Sequence, residues 1–213
     1  MAKRQLVGLF GGTFDPVHIG HLRMALELKR HLGMDEMQLI PCHIPPHRQL
    51  PVVDAERRAA MVELAVADCP DLTASRLELN NPAPSYSLHT LQMLREQNGP
   101  ESALCLAMGM DSLASLDGWY GWEQLLELGH IVVAARPGWQ LPTRGAVANT
   151  IARHRADAAA LREAPAGAII IEELTLLPIS ATDIREQIGR GESPQFLLPD
   201  KVWDYIVREG LYR

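Results

Sequence analysis

The chain has 213 residues, of which 47% are hydrophobic and 22% are charged, a composition that excludes an intrinsically disordered protein. Its 20 basic and 26 acidic residues leave a formal net charge of −6, so the molecule as a whole has no electrostatic footprint for nucleic acid. The length suffices for one substantial hydrophobic core, and we expect a single domain over residues 1–213.

The sequence carries no targeting or membrane signal. The first apolar run, residues 6–10, is too short for a signal peptide, and no run approaches the length of a membrane-spanning helix. Cys42, Cys69 and Cys105 are widely separated and form no C-x-x-C pair, which indicates neither a disulfide framework nor a zinc site. These features favour a cytoplasmic protein without a membrane partner. They leave the oligomeric state open, a homo-oligomer included.

Short apolar runs alternate with longer amphipathic runs, which predicts an α/β fold with a doubly wound parallel sheet. The predicted strands are residues 6–10, 37–41, 72–77, 103–108, 130–135 and 168–171. The predicted helices are residues 19–32, 54–67 with Asp54 as cap, a helix capped by Ser85 or Ser87 and ending at 97, 119–128, 180–188, and 199–210. Residues 138–165 are expected to form a surface helix or insertion, and residues 179–213 a small C-terminal helical part.

The most informative segment is LVGLFGGTFDPVHIGH, residues 6–21, which joins a predicted strand to a helix through Gly11 and Gly12. Glycine lets the backbone approach an anion closely, and the first turn of a helix offers unpaired N–H groups and a positive dipole end. His18 and His21 lie three residues apart and therefore share one face of that turn. Because ligands of open α/β sheets bind at the carboxyl ends of the strands, this segment predicts a phosphate site.

Two other kinds of site are disfavoured by the same segment. Neither G-x-x-x-x-G-K-[ST] nor G-x-G-x-x-G occurs anywhere, which disfavours a P-loop ATPase and a dinucleotide-dependent oxidoreductase. A metal site built on His18 and His21 would need a third ligand, and Asp15 is the only near candidate. We therefore expect no metal held by the protein itself.

GGTFDPVHIGH, residues 11–21, strongly resembles the signature of the nucleotidyltransferase superfamily with its [HT]-x-G-H motif, in the version found in bacterial nicotinate mononucleotide adenylyltransferases. ISATDIR, residues 179–185, resembles the I-S-x-T-x-I-R motif that opens a C-terminal helix in that family. Residues 41–48, 84–90, 109–111, 119–122, 197–200 and 210–213 are similar to further family blocks in order and spacing. The resemblance covers nearly the whole chain except residues 138–165 and implies a Rossmann-like fold.

The resemblance implies transfer of the adenylyl group of ATP to nicotinate mononucleotide, which yields nicotinate adenine dinucleotide and pyrophosphate in NAD biosynthesis. The second pKa of the acceptor phosphate is about 6, so this nucleophile is largely ionised at neutral pH and needs no general base. What the reaction needs is alignment of two anions for direct in-line attack on the α-phosphate, without a covalent intermediate. Mg²⁺ is expected to enter bound with ATP.

The resemblance also implies roles for individual residues. The implied catalytic residues are His18, His21 and Arg185. The implied ATP site comprises Gly11, Gly12, Thr13, Phe14, His18, His21, Asp111, Ser180 and Arg185. The implied mononucleotide site comprises Phe14, Cys42, His47, Arg48, Ser87, Asp111, Trp119 and Tyr120.

Three residues of the mononucleotide site carry the implied specificity. Trp119 would stack on the pyridine ring, and backbone N–H groups around Ser87 and Tyr120 would receive the ring carboxylate, which selects the acid over the amide. Cys42 departs from the family pattern, in which Asn is the commoner residue, and a thiol is a poor hydrogen-bond partner.

Three alternatives bear on this interpretation, of which the first and the third remain open and the second is disfavoured. The first is an adenylyltransferase for another phosphomonoester, nicotinamide mononucleotide or phosphopantetheine. The second, a class I aminoacyl-tRNA synthetase, shares the motif of residues 18–21, but the chain is acidic, lacks K-M-S-K-S and has no room for a tRNA-binding domain. The third, from a different class, is a sensor that binds ATP or a dinucleotide without turning it over.

Overall fold

The computed structural model describes residues 4–45 and 50–213. Over these residues, six strands form one parallel sheet in the order β3-β2-β1-β4-β5-β6. The strands are β1 (Leu6–Gly12), β2 (Glu36–Pro41), β3 (Thr73–Ala74), β4 (Ala103–Gly109), β5 (His130–Ala135) and β6 (Ile169–Glu173). The chain runs outward from β1 to β3, then crosses to β4 and runs outward in the other direction. This topology confirms the predicted doubly wound sheet and places its switch point between β1 and β4.

Helices cover both faces of the sheet. They are α1 (Ile19–Leu32), α2 (Ala55–Val66), α3 (Ser87–Asn98), α4 (Met110–Ala114), α5 (Leu125–Leu128), α6 (Ala146–His154), α7 (Ala160–Glu163), α8 (Ala181–Gly189) and α9 (Asp200–Glu209). Side chains of β1 alternate between the two cores: Leu6 and Phe10 face α1, α2, α8 and α9, whereas Val7 and Leu9 face α3 to α6. None of the helices within residues 4–45 and 50–213 is both long and apolar enough to cross a bilayer.

Several helix ends follow the sequence prediction. Helix α1 has the predicted bounds and ends at Gly33 in the left-handed conformation. Asp54 caps α2, where its Oδ1 accepts a hydrogen bond from the N–H of Arg57 at 2.9 Å. Ser180 caps α8 in the same way by accepting from the N–H of Asp183. These caps are local interactions, which is why the sequence could predict them.

The helix predicted over residues 119–128 was wrong. The segment forms a 3₁₀ turn at Trp122–Gln124 followed by the short α5, and Gly121 before them has φ 61°. A Cβ atom at Gly121 would lie 2.4 Å from Cδ2 of Leu88 in α3, so any side chain there would have to displace the end of the Leu88 side chain. The left-handed backbone at Gly121, which strains any L side chain, therefore interrupts the helix that the sequence pattern predicts.

The predicted caps of α3 were wrong as well, because neither Ser85 nor Ser87 is its cap residue, which is Tyr86. Ser85 Oγ instead accepts hydrogen bonds from the N–H groups of His43, at 2.9 Å, and Ile44, at 3.3 Å. Ser85 thus joins the segment after β2 to the segment before α3. A bond between residues about forty positions apart leaves no local signal in the sequence.

Two strands differ from their predicted lengths. Strand β1 continues through both glycines of the predicted turn, and Gly11 and Gly12 pair with Ile40 and Pro41 of β2. The strand predicted over residues 72–77 has only the two residues of β3, which lies at the edge of the sheet beside β2. An edge strand is paired on one side alone, so little holds its ends in the ladder.

Residues 138–165 form α6 and α7, which pack on opposite faces of the sheet. Val147 and Ile151 of α6 are buried in the core beside α3 to α5, and Leu161 of α7 is fully buried in the core beside α1. The N–H of Ala156, between the two helices, donates to the carbonyl of Ile169 in β6 at 3.1 Å. The segment is therefore tied to the edge of the sheet and contributes to both cores.

Replacement of Leu161 by alanine should destabilise the protein by about 2 to 5 kcal/mol, because it leaves a cavity in a packed core. The free energy of unfolding would be measured by urea denaturation. Leu177→Ala is the matched control, since Leu177 is 37% exposed and its truncation should cost about 0.5 kcal/mol or less. Equal losses in the two variants would show that α7 does not belong to the core.

Candidate nucleotide-binding site

A cavity of about 430 Å³ opens at the carboxyl ends of β1 and β4, at the switch point of the sheet. It brings together predicted residues from five parts of the chain: Gly11, Gly12, Thr13, Cys42, Ser87, Asp111, Trp119 and Tyr120. Asp111 lies in the first turn of α4, directly after β4, and its side chain is exposed. His47 and Arg48, also predicted for the mononucleotide, lie outside the described residues.

His18 and His21 cap the N-terminus of α1 through a pair of reciprocal hydrogen bonds. The N–H of His21 donates to Nδ1 of His18 at 3.3 Å, and the N–H of His18 donates to Nδ1 of His21 at 3.2 Å. The rings stack with centroids 3.6 Å apart and planes 20° apart. Because a backbone N–H can only donate, both Nδ1 atoms must be unprotonated acceptors. Each neutral ring therefore carries its proton on Nε2 and presents an N–H donor beyond the helix end.

Burial keeps both imidazoles neutral. It lowers the pKa of His18 from 6.5 to about 4, and it lowers the pKa of His21 well below 6.5, with a further lowering from the neighbouring His18. The two rings are too close for both to be charged easily. In the ligand-free protein they act as hydrogen-bond donors without a positive charge. An anion bound at Nε2 would raise both pKa values, since an opposite charge favours the protonated form.

Gly20 lies where the two sequence motifs pack against each other. A Cβ atom at Gly20 would lie 3.0 Å from Nδ1 of His18 and 3.5 Å from Cβ of Ile179, the first residue of the C-terminal motif. A side chain there would touch Ile179 at ordinary contact distance, but the His18 ring would have to shift by a few tenths of an ångström from its capping position. Close packing against the His18 ring therefore favours glycine between the two histidines.

Arg185 of α8 contacts the loop that follows β1, and Ser180 is the residue that caps this helix. Arg185 Nη1 donates to the carbonyl of Asp15 at 2.7 Å, and its Nη2 donates to Oγ1 of Thr182 at 3.3 Å. Ser180 caps α8, so its oxygen already accepts one backbone hydrogen bond. The carbonyl of Leu197, beyond α8, accepts from the N–H of Ile19 at 2.9 Å at the start of α1. The start of α1, which carries the histidine pair, thus contacts both Ile179 of the C-terminal motif and Leu197 beyond α8.

Phe14 is placed differently from the other loop residues. Its side chain is 2% exposed, and its ring packs edge-on against His21 with centroids 5.1 Å apart. A Cβ atom at Gly12 would lie 2.9 Å from the ring, so the ring packs directly against Gly12. Phe14 therefore supports the loop and the histidine, and only its backbone is positioned to meet a ligand.

The buried side chain of Asp15 holds the loop that follows β1 in place, a role that the sequence did not reveal. Its buried carboxylate accepts a hydrogen bond from Tyr212 Oη at 2.7 Å and from the N–H of Val52 at 2.8 Å. Burial, followed by the charge of Asp15, raises the pKa of the Tyr212 hydroxyl, which therefore stays protonated and donates. Tyr212, close to the end of the printed sequence, is thus bonded to the loop that follows β1.

The other end of the cavity is aromatic. Trp119 is half-buried and Tyr120 is 54% exposed, and both line the wall next to Ser87, the first residue of α3. Tyr120 packs against Tyr86 with ring centroids 4.5 Å apart. An apolar, aromatic wall beside a helix N-terminus suits a flat ring that carries a negative substituent.

Two buried charged residues next to the cavity were missed by sequence reasoning. Arg58 is 1% exposed and Glu78, which lines the cavity, is 6% exposed. The sequence did contain a signal for the first, because Arg58 shares the buried face of α2 with Met61 and Val62. A charged residue at a core position of an amphipathic helix needs partners supplied by the rest of the fold.

No group of three or more histidine, cysteine, aspartate or glutamate side chains converges in the part of the chain that the structure describes. A divalent cation would therefore find few protein ligands here. Phosphate oxygens of a bound nucleotide would have to supply most of its coordination.

A doubly wound sheet, a cavity at its switch point and paired imidazoles at a helix N-terminus define an α/β nucleotide-binding protein. The chain belongs to the cytidylyltransferase-like family, whose model matches residues 9–187.

Its relatives include proteins named as probable nicotinate-nucleotide adenylyltransferases. The protein from Cellvibrio japonicus is 50% identical over 210 residues, which cover 99% of this chain and 100% of the relative. The protein from Aeromonas salmonicida is 47% identical over 208 residues, which cover 97% of each chain. The nicotinic acid mononucleotide adenylyltransferase of Plasmodium falciparum, solved in complex with NaAD, superposes with a TM-score of 0.74 over 98% of both chains. Its sequence is 14% identical, so this likeness shows the fold alone.

The low pKa of His18 makes stability depend on pH. Its value is about 4 in the folded protein and about 6.5 in the unfolded chain, so between these values the unfolded chain binds more protons. We expect the free energy of unfolding to fall by up to about 3 kcal/mol from this group alone as the pH drops from 6.5 to 4.

His18→Asn should reduce this loss, because asparagine keeps an acceptor at the cap and cannot titrate. Unfolding would be followed by circular dichroism in urea at several pH values. His31→Asn, which replaces a half-exposed histidine near the other end of α1, is the control and should behave like the wild type. If the free energy of unfolding of His18→Asn depends on pH as steeply as that of the wild type, the low pKa of His18 is refuted.

Proposed function

We propose that this protein is a nicotinate-nucleotide adenylyltransferase, which joins ATP and nicotinate mononucleotide into nicotinate adenine dinucleotide and releases pyrophosphate. The observation that carries the proposal is the pair of Nε2–H donors of His18 and His21 at the N-terminus of α1. Neither histidine lines the cavity itself, but the His21 ring centroid lies 6.0 Å from that of Phe10, which does. Relatives that are 42–50% identical over nearly the whole chain bear the same name, which supports the assignment.

The side chains of the site suit a displacement at phosphorus that needs no general base. The acceptor phosphate has a second pKa of about 6 and attacks in its ionised form. Burial lowers the pKa values of both imidazoles in the ligand-free protein, and bound phosphate groups would raise them again, so the rings donate hydrogen bonds from Nε2 in either form. As negative charge gathers on the α-phosphate and the leaving group, the Nε2–H groups strengthen their bonds to it. The enzyme therefore lowers the barrier by alignment and by donors placed where charge develops.

Arg185 and Ser180 would hold the triphosphate together with the histidine pair. A guanidinium has five N–H donors, and Arg185 uses two of its N–H groups on Asp15 and Thr182 within the described residues. The remaining donors suit phosphate oxygens, and the positive end of α8 adds to them. Gly11, Gly12 and Thr13 would contact the nucleotide through their backbone at the end of β1. Mg²⁺ would enter as part of the ATP complex, coordinated mainly by phosphate oxygens.

The aromatic end of the cavity would hold the pyridine ring. Trp119 would stack on the ring, and the first N–H groups of α3, starting at Ser87, would receive its carboxylate, since such groups have no partner within the helix. Asp111, at the first turn of α4, would accept hydrogen bonds from ribose hydroxyls. The carboxylate of the acid can use the N–H donors of α3, whereas the amide cannot use them equally well.

Replacement of His21 by asparagine should lower kcat by about 10²- to 10³-fold, because the Nε2–H donor is lost from the transition state. The amide oxygen of asparagine can still accept the bond from the N–H of His18, so folding should be preserved. Turnover would be followed by pyrophosphate release, and folding by the melting temperature. His31→Asn on the same helix should retain wild-type turnover. A His21→Asn enzyme with normal kcat would remove the proposed role.

A panel of acceptors with ATP and Mg²⁺ tests the reaction itself. Pyrophosphate should be released with nicotinate mononucleotide, far more slowly with nicotinamide mononucleotide, and not with phosphopantetheine. Trp119→Ala should raise KM for the mononucleotide by about tenfold or more and leave KM for ATP nearly unchanged, because stacking is lost on the acceptor side alone. A protein that binds ATP and turns over none of these acceptors would instead be a nucleotide sensor.

A further inference from the structure

Arg58 is a buried cation beneath the floor of the cavity. Its Nε donates to the carbonyl of Val53 at 3.0 Å, and its Nη1 donates to the carbonyl of Thr13 at 2.6 Å and to Sγ of Cys42 at 3.6 Å. Its Nη2 donates to the carbonyls of Cys42, at 2.7 Å, and His43, at 3.2 Å. These acceptors come from the segments that follow β1 and β2 and precede α2. Arg58 thus ties together the segments that form one wall of the acceptor cavity.

The acceptors of Arg58 carry no charge. Four of them are backbone carbonyls, and burial raises the pKa of the Cys42 thiol, which therefore stays protonated at neutral pH. Hydrogen bonding satisfies the guanidinium and leaves its positive charge in place. Thr13 and Cys42 line the cavity, so this charge lies one residue behind the cavity surface. A buried charge is screened far less than a surface charge and acts on anything that enters.

Glu78 is the buried carboxylate on the same side of the cavity. Its Oε1 accepts a hydrogen bond from Oγ1 of Thr90 at 2.6 Å. Its Oε2 is buried, and no hydrogen-bond partner for it exists among residues 4–45 and 50–213. Asp111 also lines the cavity, but its exposed side chain is open to solvent screening. A buried carboxylate with one unsatisfied oxygen is costly to keep ionised.

The surroundings of Glu78 act in opposite directions on its protonation. Burial raises its pKa, and the bond from Thr90, the hydroxyl of Ser85, the charge of Arg58 and the backbone of His43 each oppose that rise. The titratable and charged groups that face it from the packed elements are Arg58 on α2, Cys42 and His43 after β2, and Tyr86 and His89 at the start of α3. An anion in the cavity would add a negative charge to this set and favour the protonated form.

We propose that Glu78 is a specificity-determining residue of the acceptor cavity, a counter-ion of Arg58 that takes up a proton on Oε2 when the anionic mononucleotide binds. The proton comes from solvent or its buffer and forms an O–H bond on Oε2, and no other covalent bond forms or breaks. In the ligand-free protein the carboxylate balances Arg58 in the interior. Once Glu78 is protonated, the charge of Arg58 is left to attract the acceptor. The inference rests on the proposed function for the identity of that acceptor.

The consequence is a proton-linked affinity that favours an acceptor of high negative charge. Nicotinate mononucleotide carries a ring carboxylate in addition to its phosphate, and the amide carries the phosphate alone. Once its buried carboxylate is neutralised on binding, the cavity favours the acid through the electrostatic potential of Arg58, in addition to the local contacts around Ser87 and Tyr120.

Glu78→Gln tests this by making the side chain permanently neutral while its amide oxygen can still accept the bond from Thr90. Binding of nicotinate mononucleotide, without ATP, would be measured by titration calorimetry at neutral pH in buffers of different ionisation enthalpy. We expect Kd to fall by about threefold to tenfold and the proton uptake on binding to be smaller than in the wild type. An unchanged or weaker affinity, or an unchanged proton uptake, would overturn the proposal.

Glu63→Gln is the matched control. It removes the same charge from the exposed side of α2, where Glu63 pairs with Arg76, and should leave both quantities unchanged. Equal tightening in Glu63→Gln and Glu78→Gln would mean that net charge alone is responsible and would also overturn the proposal.

Thr90→Val keeps the test decisive if Glu78→Gln does not fold. Valine removes the donor to Oε1, so Glu78 should protonate more readily and the pH dependence of acceptor affinity should move to higher pH. An unshifted profile would count against the role of Glu78. Failure of the wild type to bind nicotinate mononucleotide while it binds ATP would instead refute the proposed function, so the two failures are distinguishable.

Discussion

The reciprocal capping of α1 by His18 and His21 is the interaction on which the site depends. Each Nδ1 accepts a backbone N–H that the helix itself cannot satisfy, so the cap fixes both the position and the tautomer of the two rings. The bond that stabilises the helix end is therefore the same bond that turns two Nε2–H donors outward. A neutral imidazole has one acceptor nitrogen and one donor nitrogen. The helix cap uses the acceptor, and the donor is left for a ligand.

Residues far apart in the chain hold that cap in place. Gly20 leaves room for the His18 ring against Ile179, and Phe14 packs beneath His21. The carboxylate of Asp15 accepts hydrogen bonds from Tyr212 and Val52, and its backbone carbonyl accepts one from Arg185. The loop after β1 is consequently bonded to the segment before α2 and to the C-terminal helices. Such ties reduce the freedom of the donors before the ligand arrives, which is how a site of this kind lowers a barrier.

Electrostatics divides the site into two parts. At the helix end, burial makes the imidazoles neutral donors whose charge appears only when an anion is close. Along the cavity, the buried Glu78 is part of the lining, and the buried guanidinium of Arg58 donates to backbone carbonyls of Thr13 and Cys42, which also line it. The protein has a formal net charge of −6, so its overall field repels both reactants. Attraction has to come from these local groups, which act at short range in a weakly screened interior.

The sequence by itself determined the doubly wound sheet, the position of α1 with its end at Gly33, and the two motifs that carry His18, His21, Ser180 and Arg185. Those features depend on periodicity and on caps, which act over a few neighbouring residues. Only the tertiary structure decided that residues 119–128 break at Gly121 and that Ser85 bonds to the segment after β2. It alone revealed Arg58 and Glu78 beside the cavity, since the partners of a buried charge are set by contacts between distant segments, which no local pattern encodes.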